Sequence, residues 1–396
     1  MTLLELITKA SANPEIILAS ESDYPIILNP DESLLNLEPQ LKEGLNPNFL
    51  IQPVTGFQIS RIDAEIIDWG QKFLKKLKRK LKNPHNFGAD DFLGILNAFF
   101  EKIGKKVGIS IGVDPSDNGY TCKLIEKVGF FMGREVVRLV LEACVVLEIW
   151  EVLETLIVHG LVEHSCYSNL VNSLVTKRKS DLLCVCVKHF SDLPSSDFLC
   201  VLKYFLSTPK GAYSSMVAVK KEWESEALLA IEKATDKSLK GKKIRMANDA
   251  SILLMIAYDG FSVSELCLHY LIASMSLDEL ILTSAISKLN GVEIMALIQY
   301  LGKWLNKYER FPQAGPCPKA SSMLGLKTCE WVPTVEDIVK CIGLVLDEHF
   351  SSLVLHPEFR EVLRSIQGTV NSLALETRLC CSMANVIENL RTEVKG

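Results

Sequence analysis

The sequence contains no long apolar run that is free of charged residues. Its most apolar segment, VVRLVLEACVVLEIW, is interrupted by Arg138, Glu142 and Glu148, which predicts that no helix crosses a membrane. The initial stretch MTLLELITKASANPEI has no basic region before its apolar residues, and Glu5 and Lys9 lie among them. We therefore expect no signal peptide.

The chain also has no excess of basic residues. Its 396 residues include 43 lysines and arginines against 48 aspartates and glutamates, a net charge of −5. A protein that binds nucleic acid over its whole surface is usually basic, so any such contact must be local here. The twelve cysteines lie mostly within apolar runs, as free thiols do in a reducing compartment. These features predict a soluble nuclear or cytosolic protein.

Motifs that would indicate catalysis or metal binding are incomplete. GISIG at 108–112 matches G-x-S-x-G around Ser110, but that motif needs a strand before it and a helix after it, and neither flank fits. IGKK at 103–106 lacks the rest of a P-loop. CVC at 184–186 has no second cysteine pair at zinc-finger spacing. We predict no enzyme activity, no cofactor and no metal site, and a hydrolase that uses Ser110 is the less favoured alternative.

The patterns that are present predict a mainly α fold. Residues 1–60 mix short apolar runs with Pro, Asp and Ser, which predicts a short, less regular segment. Residues 61–133 read as a basic helical segment with a Gly-containing loop. Residues 134–396 read as an irregular α-solenoid-like array of antiparallel helix pairs, with an irregular globular all-α domain as the alternative. Three pairs are spaced as capping boxes: Ser262 with Glu265, Ser276 with Glu279, and Thr334 with Asp337.

The stretch LVLDEHFSSLVLHPEF concentrates histidines and carboxylates near the end of the chain. Adjacent helical residues point apart, so Asp347, Glu348 and His349 cannot hold one ion. We expect the two carboxylates to face solvent, His349 to be largely buried and His356, which precedes a proline, to lie at a turn between two antiparallel helices. The expected apolar stripe of the first of these helices consists of Val335, Ile338, Val339, Ile342, Val345, Leu346, Phe350 and Leu353.

The strongest concentration of charge is KFLKKLKRKLK, residues 72–82, in which seven of eleven residues are Lys or Arg. Its apolar residues, Phe73, Leu74, Leu77 and Leu81, fall on one helical face. One interpretation is a basic face that is simply solvated. The functional interpretation is a local contact to RNA phosphates, an acidic partner or an import receptor. A membrane-surface helix is less supported, because acidic residues precede it. The candidate contact residues are Lys75, Lys76, Lys78, Arg79 and Lys80.

The segment PTVEDIVKCIGLVLDEHFSSLVLHPEFREVLRSIQGTV, residues 333–370, resembles the last helical hairpin of the nucleolar protein 11 family. LIQYLGKWLNKYERFPQA, residues 297–314, is similar to the penultimate helix of that family, though less distinctive. The hairpin motif combines a Leu-Asp-x-His-Phe sequence near the end of one helix with a Pro-acid start to the next. The residues that carry it are Leu346, Asp347, His349, Phe350, Pro357 and Glu358.

This resemblance implies a subunit of the nucleolar small-subunit processome, which acts with the transcription-coupled UTP proteins in pre-rRNA transcription and processing. Family members carry an amino-terminal β-propeller, for which this chain has no room before residue 61, so another chain would supply it or it is missing. The family has no catalytic residues. We therefore expect a non-enzymatic scaffold in the nucleus and nucleolus, with processome proteins as partners and a local contact to pre-rRNA. We expect no membrane contact and no small-molecule substrate. The alternative is a generic cytosolic α-solenoid adaptor.

Overall fold

The computed structural model describes residues 61–82, 87–110, 112, 114, 117, 119–190, 192–274 and 279–395. The predicted irregular segment 1–60 lies outside these residues, as does Ser276 of one predicted capping box. The chain divides into two compact units, residues 1–69 and 70–396. The domain boundaries that we predict at residues 60 and 133 stay predictions.

All regular structure within the described residues is helical, which confirms the mainly α class, and no strand occurs among them. Short 3-10 turns at Gly129–Phe131, Lys327–Trp331 and Pro357–Phe359 connect some of the helices. The helices of the described residues are α1 (Arg61–Leu81), α2 (Ala89–Val107), α3 (Tyr120–Val128), α4 (Arg134–Val146), α5 (Trp150–Val158), α6 (His164–Lys177), α7 (Ser180–His189), α8 (Ser195–Leu206), α9 (Tyr213–Thr235), α10 (Lys242–Tyr258), α11 (Val263–Ala273), α12 (Glu279–Ile286), α13 (Gly291–Arg310), α14 (Pro318–Leu324), α15 (Val335–Leu355) and α16 (Arg360–Lys395).

Between α3 and α9 the helices pack in two layers. Helices α3, α5, α7 and α9 contact one another in sequence in one layer, and α4, α6 and α8 do so in the other. In a solenoid built from helix pairs, successive helices lie alternately in two layers, and this segment has that arrangement. The pattern changes at α11, which contacts α7, α8 and α9 together. A regular solenoid over residues 134–396 therefore stays a prediction.

Helix α13 organises the last part of the chain, since α8, α15 and α16 all pack against it. Gly302 allows the approach of α16, because a Cβ at that position would lie 3.3 Å from Cγ1 of Ile366. Next to this contact the hydroxyl of Thr369 donates a hydrogen bond to Oδ1 of Asn306 at 2.8 Å. The residues that α13 buries are Glu293, Ile294, Leu297, Ile298, Tyr300, Leu301, Gly302, Trp304, Leu305 and Tyr308.

Two of the predicted capping boxes are confirmed. The backbone N–H of Asp337 donates to Oγ1 of Thr334 at the start of α15, at 3.2 Å. The backbone N–H of Glu265 donates to Oγ of Ser262 at the start of α11, at 3.4 Å. Each box satisfies backbone donors that the first helical turn leaves without partners, so these helix starts follow from local sequence.

The predicted apolar stripe of α15 is only partly buried, which corrects the prediction. Ile338 and Leu353 are buried, but Val339 is exposed and Phe350 is 67% exposed. The helix also kinks at His349, whose φ of −118° and ψ of 16° are not helical. The stripe is wider than the surface that the neighbouring helices cover, so one edge of it faces solvent.

The buried edge of α15 should therefore stabilise the fold. We expect Leu353→Ala to lower the free energy of unfolding by about 2–5 kcal/mol, because Leu353 is buried and its truncation leaves a cavity. The matched control is Leu228→Ala on α9, whose side chain is exposed and whose truncation should change stability by less than about 0.5 kcal/mol. Urea unfolding followed by circular dichroism measures both, and equal effects would contradict this assignment of the core.

Candidate functional site

Helix α1 has the two faces that its sequence predicts. Leu77 is fully buried, and the ring of Phe73 stacks on that of Phe99 with centroids 4.6 Å apart. Because these apolar contacts fix the rotation of the helix about its axis, the opposite face must point to solvent. The residues exposed there include all five candidates, Lys75, Lys76, Lys78, Arg79 and Lys80.

The charges of these five candidates have no carboxylate partner among the described residues. No acidic residue occurs in the sequence between Asp68 and Asp90, and none of the five candidates has a salt bridge among the described residues. Lys75 and Arg79 are four residues apart, as are Lys76 and Lys80. Like charges at this spacing destabilise a helix by a few tenths of a kcal/mol per pair. An anionic ligand would relieve this repulsion.

The histidines of the sequence stretch 344–359 do not form a site. Nε2 of His349 lies 2.8 Å from the carbonyl oxygen of Ile286, the last residue of α12. A carbonyl only accepts, so Nε2 carries the proton and donates. His349 is half-buried, which makes the prediction of a largely buried side chain wrong in degree. His356 lies at the turn after α15, and Asp347 and Glu348 are exposed, as predicted.

No metal site is assembled by the described residues, in which no group of three or more His, Cys, Asp or Glu side chains could hold an ion.

Ser110 is exposed after the carboxyl end of α2, and its backbone oxygen accepts a hydrogen bond from Nζ of Lys127 at 3.2 Å. The described residues contain no strand before it, so Ser110 does not occupy a nucleophile elbow. The described helices also include none with the length and apolar content needed to span a bilayer.

Twelve free cysteines are present, and only two are exposed, Cys380 and Cys381 on α16. The others are buried or half-buried. Burial raises the pKa of Cys341 to about 12 and also raises the pKa of Cys144 and Cys186. These interior thiols stay protonated and pack as small apolar side chains.

An open groove of about 710 Å³ lies between α4 and α6. Its floor is apolar and its rim combines charged side chains with amides, so it could accept an extended segment but offers no acid–base pair for catalysis. The residues that line it include Leu141, Val145, Cys166 and Leu170 on the floor and Arg138, Glu142, Asn169 and Asn172 on the rim.

An ion-pair cluster that no sequence motif indicates joins α7, α9 and α11. Nζ of Lys188 lies 2.8 and 3.1 Å from the two carboxylate oxygens of Glu222 and 4.1 Å from the ring centroid of Tyr270. The hydroxyl of Tyr270 donates to the same carboxylate at 3.0 Å. Burial, and then the nearby Glu222, raise the pKa of Tyr270. Every group has a partner, so the cluster ties three helices together.

A second polar group that the sequence does not reveal is His269 on α11, which is fully buried. Nε2 donates to the carbonyl oxygen of Ala257 at 2.9 Å, so Nδ1 accepts from the hydroxyl of Tyr300 at 2.8 Å. The rings of Trp223 and Phe261 pack against the imidazole with centroids 5.2 and 4.7 Å away. Burial lowers the pKa of His269 to about 3, so the side chain is a neutral part of the core.

No family model, curated protein or solved structure matches the chain. Of the features above, the exposed basic face of α1 concentrates the most positive charge without a salt bridge among the described residues.

The buried imidazole predicts a pH dependence of stability. Between pH 6.5 and about 3 the unfolded chain binds a proton at His269 that the folded chain excludes. This contribution to the free energy of unfolding therefore falls as the pH falls through that window, by at most about 1.4 kcal/mol per pH unit. His269→Gln should remove that part of the slope in urea unfolding curves measured at several pH values. His356→Gln, at an exposed position, is the control, and an unchanged slope in His269→Gln would contradict the assignment.

Proposed function

We propose that this chain is a non-enzymatic scaffold subunit of the nucleolar small-subunit processome, which supports pre-rRNA transcription and processing. Two things support the proposal. One is the resemblance carried by residues 333–370. The other, which carries the nucleic-acid part, is the exposed basic face of α1 formed by Lys75, Lys76, Lys78, Arg79 and Lys80.

The basic face suits the phosphate backbone of RNA. Binding of lysine and arginine to phosphates releases counterions, which supplies affinity that is independent of base sequence and decreases with salt. The rest of the chain is acidic enough to make the net charge −5, so it disfavours RNA elsewhere. The contact would therefore be local, and it would hold pre-rRNA at one place without reading its sequence.

The scaffold role fits the helical body. Layers of helices expose long surfaces on which partners can lie side by side, and the partners that we propose are the transcription-coupled UTP proteins. Residence in the nucleolus would follow from these partners. The same basic face could also contact an import receptor, which would bring the chain to the nucleus.

A cytosolic adaptor whose basic face binds an acidic protein is the second candidate, and the same exposed charges favour it. The two candidates differ in the partners that accompany the chain. The first requires association with processome proteins in nuclear extract, and the second requires cytosolic partners and no RNA.

Neutralising the basic face should weaken RNA binding. We expect a variant with Lys75, Lys76, Lys78, Arg79 and Lys80 changed to Gln to bind pre-rRNA less tightly. Its plot of log affinity against log salt should be shallower by roughly 0.7–0.9 for each phosphate that the variant no longer neutralises. Stability should change little, because these side chains lie off the buried face. Filter binding of a pre-rRNA fragment at several salt concentrations measures both the affinity and its salt dependence.

The chain offers a matched control for this variant. Lys237, Lys240, Lys242, Lys243 and Arg245 are also five basic residues outside the buried core, and changing them to Gln removes the same charge elsewhere. Equally weakened binding in the two variants would indicate a non-specific effect of charge. Unchanged RNA binding in the first variant would show that the basic face of α1 is only solvated and does not contact RNA.

The processome assignment has its own test. Affinity purification of the chain from nuclear extract should recover the transcription-coupled UTP proteins, and they should remain after ribonuclease treatment if protein contacts hold them. Recovery of cytosolic proteins alone would favour the adaptor and reject the processome role.

A further inference from the structure

Two rows of apolar side chains are uncovered on the last two long helices. In both rows the spacing is four residues, so each forms a ridge along its helix, and the α15 ridge bends at the kink of His349. The α15 row consists of Ile342, Leu346, Phe350 and Val354, of which the last three are exposed. The α16 row consists of Leu375, Leu379, Met383 and Ile387, all exposed.

The α16 row faces away from the body of the chain. Helix α16 is held on α13 by residues up to Thr369, and every described side chain from Leu375 onward is exposed. At about 100° per residue the row lies roughly a third of a turn from the face that Ile366 buries. Because both rows are exposed in the same chain, they do not cover each other within it.

Exposed apolar rows of this kind indicate that a partner covers them. A helical segment without tertiary contacts is only marginally stable in water, and clustered apolar residues on a surface usually mark an interaction site. If both rows were covered in a symmetric pair of chains, the interface would bury on the order of 1,500 Å², which is within the usual size of a specific interface.

We propose that a second copy of this chain covers these rows. The α16 row of one copy packs on the α15 row of its partner, and the reverse contact completes a two-fold dimer. Ridges of residues four apart on both helices interdigitate when the helices cross at about −50°, the commonest helix packing. One chain supplies both ridges with the same four-residue spacing, and a symmetric pair of chains covers both at once, which is why the occupant is another copy rather than a different protein.

Charges of both signs border the α16 row, Arg378 on one side and Glu376 on the other, and Asp347 borders the α15 row. Neither Arg378 nor Asp347 has a salt bridge among the described residues. The reciprocal arrangement places the arginine of one copy beside the aspartate of its partner, because the opposite register would bring Glu376 and Asp347 together. This pairing would add specificity more than affinity, since exposed ion pairs contribute little. The inference does not depend on the proposed role in the processome.

Sedimentation equilibrium of the full chain tests the dimer. The wild type should be dimeric. Leu379→Glu with Met383→Glu alters the α16 row, and Leu346→Glu with Phe350→Glu alters the α15 row. Each double variant should raise the dimer dissociation constant by about a hundredfold or more, because each places charge in an apolar contact at the interface centre.

An equimolar mixture of the two double variants tests the reciprocal arrangement. It should associate more tightly than either variant alone, since one intact α15 row then meets one intact α16 row. The control Leu228→Glu on α9 introduces the same charge at another exposed leucine and should leave the dimer unchanged. Circular dichroism should show wild-type helix content in all variants, and a variant that fails this check is replaced by the corresponding alanine pair.

Several outcomes would overturn the proposal. A monomeric wild type, or double variants that remain fully dimeric, would show that the rows do not pair copies. If only the α16 variant became monomeric, α16 would pair with α16 of the second copy. If the mixture associated no better than its components, the reciprocal contact would be wrong.

Discussion

Burial of the wide apolar face of α13 is the constraint on which the carboxyl-terminal half of the structure depends. Tyr300 and Trp304 are fully enclosed on that face, and enclosure of rings of this size requires several neighbouring helices at once. Tyr300 also donates to the imidazole of His269, which fixes α11 against α13. The absence of a side chain at Gly302 then lets α16 lie close. The positions of α11, α15 and α16 are thus set by their contacts with one helix, α13.

Local sequence predicts those structural features that depend only on residues close together in the chain. The two faces of α1 follow from a strong contrast between apolar and basic residues within eleven positions, and a capping box such as Thr334 with Asp337 spans only four. Periodicity failed at Phe350, because it shows which residues share a face but not how much of that face a neighbour covers. The solvent-exposed edge of α15 depends on where α13 and α12 lie, which no local pattern encodes.

Contacts between distant residues are beyond sequence patterns. Lys188, Glu222 and Tyr270 come from three helices, and nothing in their immediate neighbours distinguishes them from surface or core residues. His269 lies in an ordinary helical segment, and its neutral state results from burial by rings elsewhere in the chain. The basic face of α1 could be predicted from sequence, because a run rich in lysine is visible in the composition alone. The absence of salt bridges from that face could not be predicted, since it depends on where every described carboxylate lies.

The distribution of the thiols gives α16 a distinct chemical reactivity. Cys380 and Cys381 are exposed on this helix, whereas burial keeps interior thiols such as that of Cys341 protonated at neutral pH. Thiolates react with maleimides and protonated, enclosed thiols do not. A fluorophore or spin label added to the native protein would therefore attach first to α16. Without any mutation, spectroscopy of such a label would therefore report on α16, the helix that extends beyond the packed body.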